Sequence, residues 1–202
     1  MTIVAPYLTF PRISWWARVM QADVVIFDAA EHFQKMTDRN KYHISGANNI
    51  NKLSVPLVNG RDQRAPMRDI CIHNEERWQV QHWRTIVSVY RRTPYFEHFE
   101  ASLQPLFEHP YAHLIEFNKA GLQWVKQQLR LKYQELEANT FSKEYPAETK
   151  DARFTKPVPQ IMPRYHQIFE DRIGFLPDLS ILDLLFSIGP KAAGEYLRSL
   201  PV

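Results

Sequence analysis

The ten residues Glu31-His32-Phe33-Gln34-Lys35-Met36-Thr37-Asp38-Arg39-Asn40 bring together side chains that could hold a ligand and move a proton. An imidazole exchanges protons near neutral pH, so His32 is the candidate general acid or base. Gln34 lies two residues on and shares the side of His32 if the segment is extended, since side chains alternate along a strand. Arg39 and Asn40 place a planar guanidinium fork beside an amide, a compact clamp for a phosphate or a carboxylate. The competing explanation is a charged hairpin arm, because Asp and Asn also serve ordinary turns.

Other polar groups carry local structural explanations. Trp78-(x)3-His82-Trp83 has helical spacing, which sets the imidazole over an indole as a packing and orientation device. In Asp178-Leu179-Ser180-Ile181-Leu182-Asp183, Asp178 or Ser180 can cap a helix and Asp183 occupies its first turn, where a carboxylate favours the dipole. Cys71, the only cysteine, lies between Ile70 and Ile72 and reads as a buried strand position. One thiol excludes a disulfide framework and a thiolate zinc site within one chain. The eight histidines show no His-Glu-x2-His pattern, and no dedicated metal site is expected. Dinucleotide, Walker and Gly-x-Ser-x-Gly signatures are missing, and no cofactor is assigned.

The elements that must position these groups follow from apolar patterning. Residues 2–5 form a short strand, and Pro6 and Pro11 bracket a rigid loop containing Tyr7. Residues 13–20 have helical spacing, and Val24 to Phe27 is an uninterrupted run suited to a strand covered on both faces. Strand, helix, strand is the outline of a βαβ unit, in which ligands gather at the carboxyl ends of the strands. That places Tyr7 beside His32, Gln34, Arg39 and Asn40. Between residues 30 and 73, Lys41–Ser45, Asn51–Leu57 and Met67–His73 read as short strands extending the pair in antiparallel fashion. Three amphipathic helices follow, and residues 139–164, rich in Pro and Lys, read as an extended surface arm. The expectation is an α/β fold: one compact domain over residues 1–202 with an N-terminal βαβ unit, an antiparallel extension and packed C-terminal helices. Its parts are a mixed-sheet unit (1–75), a helical layer (76–130), an extended connection (131–164) and a C-terminal helical motif packing back (165–202).

The chain has 202 residues, 45% of them apolar, enough for one domain with a real core. Residues 1–92 carry 13 Lys and Arg against 8 Asp and Glu, whereas residues 93–202 carry 12 against 14. A modestly basic first half suits a small anionic substrate. The basic residues are scattered, which argues against nucleic acid. No window approaches eighteen uncharged apolar residues and no leader pattern opens the chain, so no membrane contact and a cytoplasmic location are expected. Homo-oligomerisation is left open.

Several motifs together resemble the WbqC-like protein family over nearly the whole chain. Pro6-Tyr7-Leu8-Thr9-Phe10-Pro11 with Trp15-Trp16 is similar to that family's opening pattern. Val24–Asp28 with Arg39-Asn40-Lys41, the Leu53–Leu57 strand, the Trp78/His82/Trp83 helix and Pro94-Tyr95-Phe96 follow its next elements. The most specific match is the ending, Phe175-Leu176-Pro177-Asp178-Leu179-Ser180 through Gly189-Pro190. Longer members carry a further αβ segment before this ending, and residues 131–164 replace it here with a short connection. The resemblance implies an association with lipopolysaccharide and other surface-polysaccharide biosynthesis, without a settled reaction. Combined with the polar set at the strand ends, it leads to a transferase-type enzyme acting on an activated anionic small molecule. His32 is then the proton carrier, and Tyr7, Gln34, Arg39 and Asn40 hold substrate. The alternative is a non-catalytic binding or scaffold protein that takes a partner segment in the same groove.

Overall fold

A computed structural model describes residues 1–60, 62–153 and 162–201. Its centre is a four-stranded sheet in which β1 (Thr2–Pro6), β2 (Val24–Asp28), β5 (Gln134–Ala138) and β6 (Thr149–Asp151) run parallel in the order β5-β2-β1-β6. The inner strands are the apolar ones: Ile3, Val4, Ala5, Val25 and Phe27 are all buried. The edge strands are rich in polar and charged side chains, as strands with one open flank often are. The pairing aligns Pro6 with Asp28 and Asp28 with Ala138, so the carboxyl ends share one border of the sheet.

Helix α1 (Ile13–Val19) joins β1 to β2 as the crossover of the βαβ unit. The antiparallel pair, β3 (Lys41–Ile44) and β4 (Asn51–Ser54), stands as its own two-stranded sheet, because β5 and β6 occupy both flanks of the parallel pair. Residues 131–164 therefore do more than connect: they supply both edge strands. Strands of five and three residues reading Gln-Glu-Leu-Glu-Ala and Thr-Lys-Asp carry no apolar signal, and their place is set by backbone pairing with β2 and β1. Residues 154–161 of the expected arm lie outside the described residues.

The segment read as a strand from Met67 to His73 is a 3-10 turn at Met67–Asp69 followed by single bridges from Cys71 to His113 and from Ile72 to Leu57. Ile70 and Ile72 point inward, so Cys71 between them is exposed rather than buried.

The helical layer comprises α2 (Trp78–Tyr90), α3 (Phe96–Leu103) and α4 (Leu114–Gln128), with a four-residue helix α5 (Glu170–Ile173) and the long α6 (Ile181–Ser199) completing the chain. None of the helices among the described residues is long and apolar enough to cross a membrane. Within α6, Gly189 breaks the helix at φ 77°, ψ 171°, and Pro190 starts the second half.

The C-terminal motif is stitched to the N-terminal loop by backbone hydrogen bonds. Ile13 N–H donates to Leu179 O (3.0 Å), Ile181 N–H to Pro11 O (3.0 Å) and Ser180 N–H to His43 O (2.7 Å). Leu179, Leu182, Leu185 and Phe186 are fully enclosed. Capping is shared: Ser180 Oγ accepts from Leu182 N–H at the start of α6, while Asp178 accepts from the backbone and hydroxyl of Ser14 at the start of α1 (2.8 Å each). Asp183 sits deeper than a first-turn carboxylate usually does. It accepts from the hydroxyls of Tyr90 (2.6 Å) and Tyr165 (2.7 Å) and from Gln167 Nε2 (3.1 Å), joining α2, α6 and the segment before α5.

Candidate functional site

At the carboxyl end of β1 the chain leaves a cleft of about 530 Å³ between α1, residues 34–41, β3 and the end of β6. Its walls are apolar at Pro6, Leu8, Trp15 and Ala152, and its charged lining is predominantly basic, with Arg12, Arg18, Arg39, Lys41 and Arg153 against Asp38. Size and composition both suit a small anionic ligand.

Arg12 is the best-positioned of these cations. Every guanidinium nitrogen has a partner, each from a different part of the chain: Nε donates to Asp38 Oδ2 (2.6 Å), Nη1 to Asp178 O (3.1 Å) and Nη2 to His43 Nδ1 (3.1 Å). The side chain is still 28% exposed, so it is fixed yet open to the cleft. The opening loop, the polar segment, the hairpin and the C-terminal motif thus converge on one guanidinium.

His43 faces the cleft because Tyr42 and Ile44, its neighbours on β3, point into the core. Burial depresses its pKa, and Arg12, Lys41 and Lys52 add to that, with Asp38 opposing. A neutral ring accepting at Nδ1 from Arg12 carries its proton on Nε2. Asp38 Oδ1 lies 3.6 Å from the same Nδ1 and could orient the ring in the other tautomer.

Two of the basic residues form a floor and are fully occupied. Arg39 pairs with Glu31 through Nε (3.0 Å) and Nη2 (2.6 Å) and also donates to Thr37 Oγ1 (3.1 Å). Arg153 donates to Asp28 Oδ2 (2.6 Å) and Asp151 Oδ2 (2.7 Å), and its guanidinium lies near the rings of Phe141 and Tyr145. Both side chains are almost completely enclosed. They set the shape of the cleft rather than offering donors to a ligand. Ser14 also lines it, but its hydroxyl already donates to Asp178, so no activated hydroxyl nucleophile is formed there. At the rim, Met36 is 73% exposed and adopts a left-handed backbone (φ 64°) within a turn.

The residues singled out from sequence separate into groups. Gln34 and Arg39 line the cleft. Asn40 does not: its amide donates to Val55 O (3.0 Å) and closes the hairpin. Tyr7 projects to the opposite side from Pro6 and Leu8, stacks on Phe27 and donates to Glu137 Oε2 (2.6 Å). Burial and that carboxylate hold its phenol protonated.

His32 lies outside the cleft. Residues 29–40 form bends and turns with a single bridge from His32 to Pro66, and there Glu31 and Phe33 point inward while His32 is exposed near Phe141. The expected covered face is reversed because the Glu31 carboxylate is drawn inward to Arg39. Sequence reasoning passed over Arg12, Arg18, Asp38, Lys41 and His43 as site residues. The alternation of Lys41-Tyr42-His43-Ile44 could have found two of them.

The frame is mixed α/β: a parallel sheet with a basic cleft at its strand ends, and a separate antiparallel pair. This chain belongs to the WbqC-like protein family, whose pattern matches residues 6–156 and so includes every residue lining the cleft. The match ends before the C-terminal motif that supplies Asp178. No curated protein and no solved structure matches the chain.

Proposed function

We propose that the cleft holds the phosphate or carboxylate of an activated small molecule, and that the protein is a transferase acting on it in surface-glycan or cell-envelope synthesis. The observation that carries this reading is Arg12, held by three partners while open to the cleft, with Arg18 and Lys41 beside it. Preorganised donors in a part-buried site stabilise negative charge without rearranging as it develops. His43 replaces His32 as the proton carrier. With Arg12 holding Nδ1 as the acceptor, the ring keeps its proton on Nε2, where it donates to a bound anion and is the proton that His43 can transfer. The glycan assignment rests on the family resemblance.

A concave cleft favours a small ligand over the docking of a partner segment, which needs a long open surface. The test is thermal-shift screening against nucleotide sugars and acyl or aminoacyl donors, using wild type, Arg18→Gln, Lys41→Gln and His43→Gln. A substrate should stabilise wild type and His43→Gln but lose most of its effect on the two cation variants, with turnover lost in His43→Gln. Equal stabilisation of all four proteins would remove the anion site, and binding without any transfer would favour the non-catalytic reading.

A further inference from the structure

The main cleft does not end at Arg18. A second hollow of about 200 Å³ begins there, sharing Arg18 and Ala152 with the cleft and continuing to Met1, Ile3, Gln21 and Lys150. The two sets of lining residues advance together: from Arg12 to Gln21 along α1 and its C-terminal turn, and from Leu8 back to Ile3 through β1. One groove therefore runs beside α1 from the carboxyl border of the sheet toward its other end. Its character changes at Arg18. Beyond that point the walls are mostly apolar, formed by Met1, Ile3 and Ala152 with Arg18, Gln21, Lys150 and Asp151, whose carboxylate is already held by Arg153.

Arg18 itself is half-buried and, among the described residues, its side chain makes no hydrogen bond or ion pair. Arg12, Arg39 and Arg153 all have carboxylate partners. A lone guanidinium at the junction of a polar cleft and an apolar recess matches a ligand with an anionic group there and a hydrocarbon portion beyond.

We infer that the ligand of this cleft is amphipathic: its anionic group lies within reach of Arg18, and a short aliphatic chain enters the recess past Gln21. This rests on the cleft being the anion site and narrows the substrate class to acylated or alkylated anions. A ligand with a charged or sugar-like group on both sides of the anion would leave the recess wall unsatisfied.

The test is a 1H–15N NMR titration with methyl, butyl and hexyl phosphate, with acetate, butanoate and hexanoate as a parallel carboxylate series. Affinity should rise about threefold to fourfold for each methylene that enters the recess and then level off. Amides of Ile3, Gln21 and Lys150 should move only with the longer chains. Gln21→Trp, at an exposed position, should leave methyl phosphate or acetate binding unchanged and abolish the dependence on chain length. If the short anions bind at Arg18 but longer chains gain nothing, or their gain survives in Gln21→Trp with unmoved recess amides, the recess is not a subsite and the anion cleft stands. If no member of either series perturbs Arg18, the anion cleft and the amphipathic ligand fall together.

Discussion

Arg12 Nη2 donates to His43 Nδ1 at 3.1 Å, and the same ring nitrogen lies 3.6 Å from Asp38 Oδ1. The protonation of one imidazole is thereby tied to the position of one guanidinium. A proton on Nδ1 would face Arg12 and break its donation, so the fixed arrangement of the cleft requires the neutral ring. Ligand binding should accordingly weaken as acid protonates His43, below the ordinary histidine range. Measured between pH 5 and 8, affinity should fall with acid in wild type more steeply than in His43→Gln.

His82 gives a separate pH effect, on stability. It is buried against Trp78 and Tyr42, accepts from the Tyr42 hydroxyl, and burial lowers its pKa to about 4 from 6.5. A histidine whose folded pKa lies below its unfolded value binds fewer protons when folded, so its neutral state favours folding above pH 6.5. That contribution is lost as pH falls toward 4, and it amounts to roughly 3 kcal/mol. Urea denaturation across this window should show the loss, and His82→Gln should flatten it while lowering stability at pH 7.

Arg39→Ala should act on the fold rather than on binding alone. It leaves Glu31 enclosed without its bidentate partner, a loss of about 3–5 kcal/mol. His32→Gln should change neither the melting temperature nor the ligand response, because His32 is exposed and outside the cleft. Loss of ligand response in His32→Gln would return that residue to the site.

Asp183→Ala removes the acceptor for Tyr90, Tyr165 and Gln167 together. Hydrogen bonds to a charged group contribute about 1.5–3 kcal/mol each, and unsatisfied buried donors add to the loss. The variant should be destabilised by at least about 3 kcal/mol in chemical denaturation.

Gly189→Ala meets two obstacles at once. Its φ is 77°, and a Cβ there would fall 2.5 Å from the Tyr95 ring. The expected cost is on the order of 2–3 kcal/mol or more, since left-handed strain and overpacking add. Gly174→Ala, at the same φ but with open space around it, should cost less.

Much of the frame was legible in the residues. The inner strands and α1 announced themselves by uninterrupted apolar runs and helical spacing, and the Phe175–Gly189 motif by its need to be covered. The edge strands were not legible, because Gln134–Ala138 and Thr149–Asp151 have polar sequences and owe their place to neighbours distant in the chain. The polar segment 31–40 does border the cleft, through Gln34, Met36, Thr37, Asp38 and Arg39. Its individual roles were not readable, since Arg39 is committed to Glu31 and Asn40 to Val55 by tertiary contacts. Arg12 gave no local sign of its importance: its three partners come from residues 38, 43 and 178.

The most direct test of the anion cleft is the 15N NMR signal of the His43 ring, followed at pH 7 while a ligand identified by thermal shift is added. The free protein should show an unprotonated Nδ1 and a protonated Nε2, and both should change saturably as the ligand engages Arg12. A ring protonated on Nδ1 in the free protein, or one indifferent to every anionic ligand that binds, would contradict the account.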